Sequence, residues 1–95
     1  MKTKVIFKKY SNGQIVAAFP QIPWDNSPFH MQCYEHVGQH GNGAESYLIL
    51  LTPAKPVEYS ELLKELKAIG YDVKIAHRFT WHDFNIRKAQ LRGTS

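Results

Sequence analysis

The chain is poor in the features that most quickly assign a small protein to a class. One cysteine in 95 residues excludes an intramolecular disulfide framework and fits a reducing compartment, so a cytoplasmic location is expected. No apolar run approaches the ~20 residues needed to span a bilayer. The opening Met1-Lys2-Thr3-Lys4 leads into a short apolar run broken by Lys8 and Lys9, so no signal peptide is read there. Internal repeats and low-complexity segments are lacking. Gly38, Gly41 and Gly43 follow one strand-like stretch and lead into another, a context that excludes a dinucleotide fingerprint. Neither a carboxylate pair nor a second cysteine pair is present. No cofactor and no metal are therefore expected, and the chain leans away from enzymes.

What is present suits one folded domain. With 43% hydrophobic and 21% charged residues, the chain is unlike a disordered one and can build one modest core. The net charge of +4 is unevenly spread. Residues 1–10 hold Lys2, Lys4, Lys8 and Lys9 and no acid. Residues 74–95 hold Lys74, Arg78, Arg87, Lys88 and Arg92 against Asp83, and the middle of the chain is acidic. If the two basic ends meet, they form a patch that attracts phosphates. The plainer reading is a set of solvated lysines on strand edges, and it is the stronger.

Lys4–Tyr10 and Gln14–Phe19 are β-rich runs on either side of Ser11-Asn12-Gly13. Asn-Gly there predicts a two-residue type I′ hairpin, which sets Tyr10 against Ile15, Lys8 against Ala17 and Ile6 against Phe19. Pro20–Phe29 carries three prolines and reads as an ordered loop, with Trp24 packed over a core edge. Met31–Val37 alternates like a strand, and Gly38–Glu45 reads as a turn or exposed loop. Ser46–Leu51 is a continuous apolar run, expected as a central strand covered on both faces.

Tyr59, Leu62, Leu63, Leu66 and Ile69 form one helical stripe that starts after Pro56 and stops at Gly70. Tyr71–Arg78 then alternates as a strand. Strand, helix and strand predict a βαβ unit with parallel strands and a right-handed crossover. Thr80-Trp81-His82-Asp83 matches a capping box opening a short helix over roughly 81–91, with Trp81, Phe84 and Leu91 near one face and Arg87, Lys88 and Arg92 beside it. The fold class is thus α+β in a single domain over 1–95, with a core over 1–78 and a basic, aromatic C-terminal segment over 79–95. It has a small mixed sheet with an N-terminal hairpin, two further strands, one packed helix in a βαβ unit and a short C-terminal helix.

Met31–Gly43 concentrates the candidate chemistry, because it holds the cysteine, two of the five histidines and three of the six glycines. Cys33, His36 and His40 have ligand-like spacing, with His30 close by. On a strand, however, Cys33 and His36 point to opposite faces, and a distant His77 or His82 would have to complete a site. One cysteine among histidines is also the minimum for a thiol nucleophile with a base, but Cys33 is read on the core side, where a thiol is a small hydrophobe. Binding fits the stretch better. Tyr34, His36, Gln39, His40 and Asn42 offer rings, donors and acceptors with little charge, a set that suits a peptide, a base or a partner protein. Equally, His36 and Gln39 could hold the loop's own backbone in shape.

The series Lys-Val-Ile-Phe-Lys-Lys, Asn-Gly-Gln-Ile-Val-Ala-Ala-Phe-Pro, Cys-Tyr-Glu-His-Val-Gly-Gln-His-Gly and Glu-Tyr-Ser-Glu-Leu-Leu-Lys-Glu-Leu-Lys-Ala-Ile-Gly-Tyr resembles a group of short uncharacterised bacterial and phage-borne proteins over about residues 4–78. Glu-His-Val-Gly-Gln-His-Gly is the most specific piece. The resemblance implies no activity and no site residues, but it implies an accessory protein of a phage or mobile element. The expected function is a small non-enzymatic binding module with a host protein as partner; a homo-oligomer is compatible with it. The first alternative is a nucleic-acid-binding protein that uses Lys8, Lys9, Arg78, Trp81, Arg87, Lys88 and Arg92, with Phe84 and Tyr10 as stacking groups. The second is a small metal- or Cys/His-dependent enzyme. The nucleic-acid reading predicts affinity falling steeply between low and moderate salt; a titration that shows no change removes it.

Overall fold

The first turn decides which side chains reach which face of the sheet. In the computed structural model, which describes residues 2–35 and 39–93, β1 (Thr3–Lys9) and β2 (Ile15–Pro23) join across Ser11-Asn12-Gly13. Gly13 sits at φ 89° and its N–H donates to Tyr10 O at 2.9 Å, while Tyr10 N–H donates to Gln14 O at 2.9 Å. This is a three-residue loop with glycine in the left-handed region, in place of the two-residue turn that Asn-Gly predicts. The pairing becomes Ile6 with Ala18, Phe7 with Ala17, Lys8 with Val16 and Lys9 with Ile15. That one-residue slip exchanges the faces of every β2 side chain relative to β1. Ala17 thus lies with Phe7, and Val16 and Ala18 lie with Lys8 and Ile6.

The rest of the sheet grows on both sides of this hairpin. β3 (His30–Glu35) pairs antiparallel with β2, and β4 (Gln39–Ala44) pairs antiparallel with β3. On the far side of β1, the short β5 (Thr52–Pro53) pairs antiparallel at Lys8 and Lys9, and β6 (Val73–Ala76) pairs parallel along Thr3–Ile6. The sheet is therefore mixed and the class α+β, as the sequence predicts. One finer expectation changes. The helix between β5 and β6 does not join parallel neighbours, because the parallel partner of β6 is β1.

Three helices cover the two faces. α2 (Pro56–Ala68) begins at its proline, with the Lys55 N–H donating to the Glu58 carboxylate at 2.8 Å. It ends in a Schellman closure: Gly70 at φ 112° donates to Lys67 O, and Tyr71 N–H donates to Leu66 O, each at 3.1 Å. Its stripe of Tyr59, Leu62 and Leu66 buries against Val5, Phe7, Ala17, Phe19 and Tyr34. Tyr59 stacks on Phe7 with ring centroids 4.3 Å apart. The other face carries a smaller core of Val16, Ala18, Met31, Cys33 and Leu48. α1 (Glu45–Leu48) and α3 (Trp81–Gly93) lie on that side. Among the described residues no helix is long and apolar enough to cross a membrane.

Two segments differ from the expectation. The glycine-rich stretch read as a loop is strand β4, where Gly41 faces Cys33 and Gly43 faces Met31. Ser46–Leu51, read as a central strand, is mostly the α1 turn, and only Leu48 of it is fully buried. An apolar run of six has no period of its own to separate strand from helix. Here the chain turns directly after the edge strand β4, and Leu48 packs against the sheet from a helical turn. β2 also extends through Pro20 to Pro23, its register breaking between Phe19 and Pro23, so part of the proline segment is strand. Trp24 is 44% exposed rather than tucked over a core edge.

Gly43 is the tightest of these positions. A Cβ there would lie 2.4 Å from Cys33 Sγ and 2.7 Å from Leu48 Cδ1, both buried. Gly43→Ala should therefore lower stability by about 1–3 kcal/mol in denaturant titration. Adding Cys33→Ala should return part of that loss; no recovery in the double variant would show that the clash lies elsewhere.

Candidate functional site

Of the residues chosen from the sequence as a binding face, Tyr34 is buried, while His40 and Asn42 are exposed. Tyr34 was expected on the exposed side of its strand, but it is 1% exposed and donates to Glu65 Oε1 of α2. α2 packs on the Tyr34 face of β3 and Leu48 of α1 on the Cys33 face, so alternation does not leave one of them in water. His40 is exposed, yet its ring meets Tyr34 edge-on at 4.9 Å and its Nε2 lies 3.0 Å from Tyr71 Oη. Gln32 Nε2 also donates to that hydroxyl at 3.4 Å. Asn42 is exposed. His36 and the Gln39 side chain lie outside the described residues. The polar groups of β3 and β4 thus tie the sheet edge to α2 and the turn that follows it.

Cys33 does not have the character of a nucleophile. It is buried, and desolvation together with the Glu35 carboxylate pushes its thiol up to about 12, so it stays protonated at neutral pH. It borders a small cleft of about 130 Å³ with Tyr10, Glu35, His40, Gly41 and Asn42. Tyr10 Oη donates to Glu35 at 2.9 Å, and desolvation with this contact raises the phenol above its ordinary value. Among the described residues no group of three or more His, Cys, Asp or Glu is placed to hold a metal ion.

The basic residues assigned to nucleic acid are also divided by the fold. β1 and β6 do bring the two basic ends side by side, with Lys4 opposite Lys74. Several of the cations are nevertheless engaged within the molecule. Lys8 is 6% exposed, donates to Leu51 O at 3.4 Å and lies over the Phe79 ring, and burial lowers its pKa. Lys9 pairs with Glu58 at 2.7 Å. Arg87 is fully buried: it donates to Pro20 O, to Pro28 O at 2.9 Å and to Glu45 at 3.0 Å. Arg78, Trp81 and Lys88 remain exposed. The side chain of Arg92 lies outside the described residues.

α3 therefore turns Asp83 and Arg87 inward. Thr80 and Asp83 form the reciprocal cap that their spacing predicts, each backbone N–H donating to the other's side-chain oxygen at 3.1 Å. Asp83 then points to the sheet and accepts from Lys4 at 2.7 Å and from Gln21 at 3.0 Å. One turn on, Arg87 meets the proline carbonyls, and Gln90 donates to Gln21 O at 2.8 Å. The cause lies in the proline segment, whose irregular backbone leaves carbonyls that the sheet ladder does not use. Side-chain donors on α3 satisfy them. Three prolines in ten residues were the available signal for that demand.

With Asp83 and Arg87 inward, Trp81 is left outward and Phe84 half-buried. Trp81 is 79% exposed and packs edge-on against Phe84 at 5.8 Å, and Phe84 meets Phe29, itself 62% exposed, at 5.6 Å. Trp81 also lines a cleft of about 230 Å³ with Ile49, Phe79, Thr80 and Glu45. A second cleft of about 240 Å³ shares Ile49 and Phe79 and adds Lys8, His77 and Arg78. Beside Ile49, Leu50 is 82% exposed. The apolar surface running from Phe29 to Ile49 is the candidate site. No family model, no curated protein and no solved structure matches this chain.

Asp83 offers a test of how α3 is held. Its burial raises the carboxyl pKa, but hydrogen bonds from Lys4, Gln21 and Thr80 outweigh this and bring it below its ordinary value. A depressed carboxyl contributes stability above its unfolded pKa, about 3.9, and loses it as pH falls through the folded one. Unfolding free energy should therefore drop as pH is lowered from about 5 toward 2. Asp83→Asn should cost about 2–4 kcal/mol at pH 7 and flatten that acid limb. An equally steep limb in the variant would assign the acid sensitivity to other groups.

Proposed function

We propose that this protein is a small non-enzymatic binding module whose partner is another protein, held on the surface formed by α1 and the first turns of α3. One observation carries the reading: Phe29, Phe84, Trp81, Phe79 and Ile49 form a connected apolar surface, and several of these residues are largely exposed. A contiguous patch of large apolar side chains is costly to leave in water, and such patches mark interaction sites. The resemblance of residues 4–78 to short bacterial and phage-borne proteins supports an accessory protein of a phage or mobile element, with a host protein as its partner.

Nucleic-acid binding is the second reading, favoured by the exposure of Arg78, Trp81 and Lys88 on one side of the molecule. It ranks lower because Lys8, Lys9 and Arg87 are engaged internally. An enzyme built on Cys33 is disfavoured by the protonated, buried thiol.

Affinity capture from host lysate, run with the full chain and with Trp81→Ala and Ile49→Ser variants, tests the first reading. The expected outcome is a nuclease-resistant, stoichiometric protein partner that both substitutions release. Recovery that nuclease abolishes would favour the second reading. A partner retained equally by all three proteins would refute this surface.

A further inference from the structure

Trp81 lines the first of the two clefts, and an exposed arginine lines the second. Arg78 and His77 line the second cleft, and Lys88 stands on the helical stripe of Trp81 and Phe84, at i, i+3 and i+7. Among the described residues neither Arg78 nor Lys88 is ion-paired. Two carboxylates of the adjoining elements, Glu45 and Asp83, are turned to internal use. Glu45 reaches the first cleft but accepts from Arg87, and Asp83 is fully buried against Lys4. The surface thus pairs apolar recesses with positive charge whose counter-charge the chain itself does not supply.

We infer that the occupant is a short acidic segment of a partner protein carrying two bulky apolar side chains, which seat in the adjoining clefts on either side of Ile49 and Phe79 while its carboxylates face Arg78, His77 and Lys88. This rests on the protein-binding reading and names the chemistry of the partner. Charge complementarity selects the acidic character, since acids opposite exposed cations hasten encounter and exclude basic competitors. Cleft shape selects apolar side chains over bases. Ile49 and Phe79 line both clefts, and Trp81 is already engaged edge-on by Phe84, so the surface is a pair of recesses rather than an open stacking platform.

The test is selection from a randomised twelve-residue peptide library on the intact protein. Fluorescence anisotropy of the enriched peptides follows, with a labelled thymidine oligonucleotide measured alongside. Enriched peptides should carry Asp or Glu next to Leu, Phe or Trp. Trp81→Ala should weaken them at least tenfold, and Arg78→Glu and Lys88→Glu should each weaken them severalfold, with far-UV circular dichroism unchanged. Raised salt should weaken the peptides in parallel. Neutral or basic peptides that still depend on Trp81 would overturn the acidic partner and leave the protein-binding reading standing. Peptides indifferent to Trp81→Ala and Ile49→Ser would overturn both. Tighter binding of the oligonucleotide, or a dimer in sedimentation that Trp81→Ala dissociates, would overturn the acidic segment as occupant.

Discussion

A buried guanidinium organises one side of this molecule. Arg87 is enclosed by Pro20 O, Pro28 O and Glu45, so one side chain joins α3 to β2, to the following loop and to α1. A charge taken out of water costs several kcal/mol unless its donors are satisfied, and here each of its three nitrogens has an acceptor. The carbonyls gain as much as the arginine does. Prolines break the regular ladder at the end of β2, and a carbonyl left unpaired inside a protein is also costly. Irregular backbone therefore calls for donors, the donors lie on one side of α3, and the opposite side of that helix faces water.

That chain of causes explains which parts of the fold were legible in the sequence. The bounds of α2 were readable because Pro56, the Leu stripe and Gly70 act locally. The start of α3 was readable because Thr80 and Asp83 satisfy each other's backbone. The hairpin was readable as a hairpin, but its register depends on whether Gly13 alone or Asn12 and Gly13 together take positive φ, and both fit the same letters. Tyr34 was placed on the wrong side of the surface because alternation tells only that two faces differ, and here a helix packs on each of them. Ser46–Leu51 was misplaced for a related reason. Composition tells that a segment is apolar, while only its tertiary surroundings tell whether it is buried.

The same distinction separates the two candidate sites. In β3 and β4 the side chains of His30, Gln32, Tyr34 and His40 find partners within the chain, which is how polar groups behave when they maintain a structure. Around α1 and α3 the reverse holds: Leu50 and Trp81 are apolar and largely in water. A histidine- and glycine-rich motif draws the eye because its residue types are those of chemistry. The more informative departure was plain hydrophobic side chains for which the fold supplies no cover.

β1 has one further consequence for how the chain must come together. It closes onto β2 across three residues, but its parallel neighbour β6 lies from Thr3 to Val73 away along the chain. As isolated loop closures, the second is about 3 kcal/mol less favourable than the first. During synthesis the first strand therefore waits beside an open edge until the last strand emerges. A chain cut before residue 73 would leave part of that edge permanently bare, and a bare edge is a template for pairing with other chains. The charge on Lys4, Lys8 and Lys9 then has a second use, protecting the unfinished strand before Asp83 and Glu58 neutralise two of those lysines.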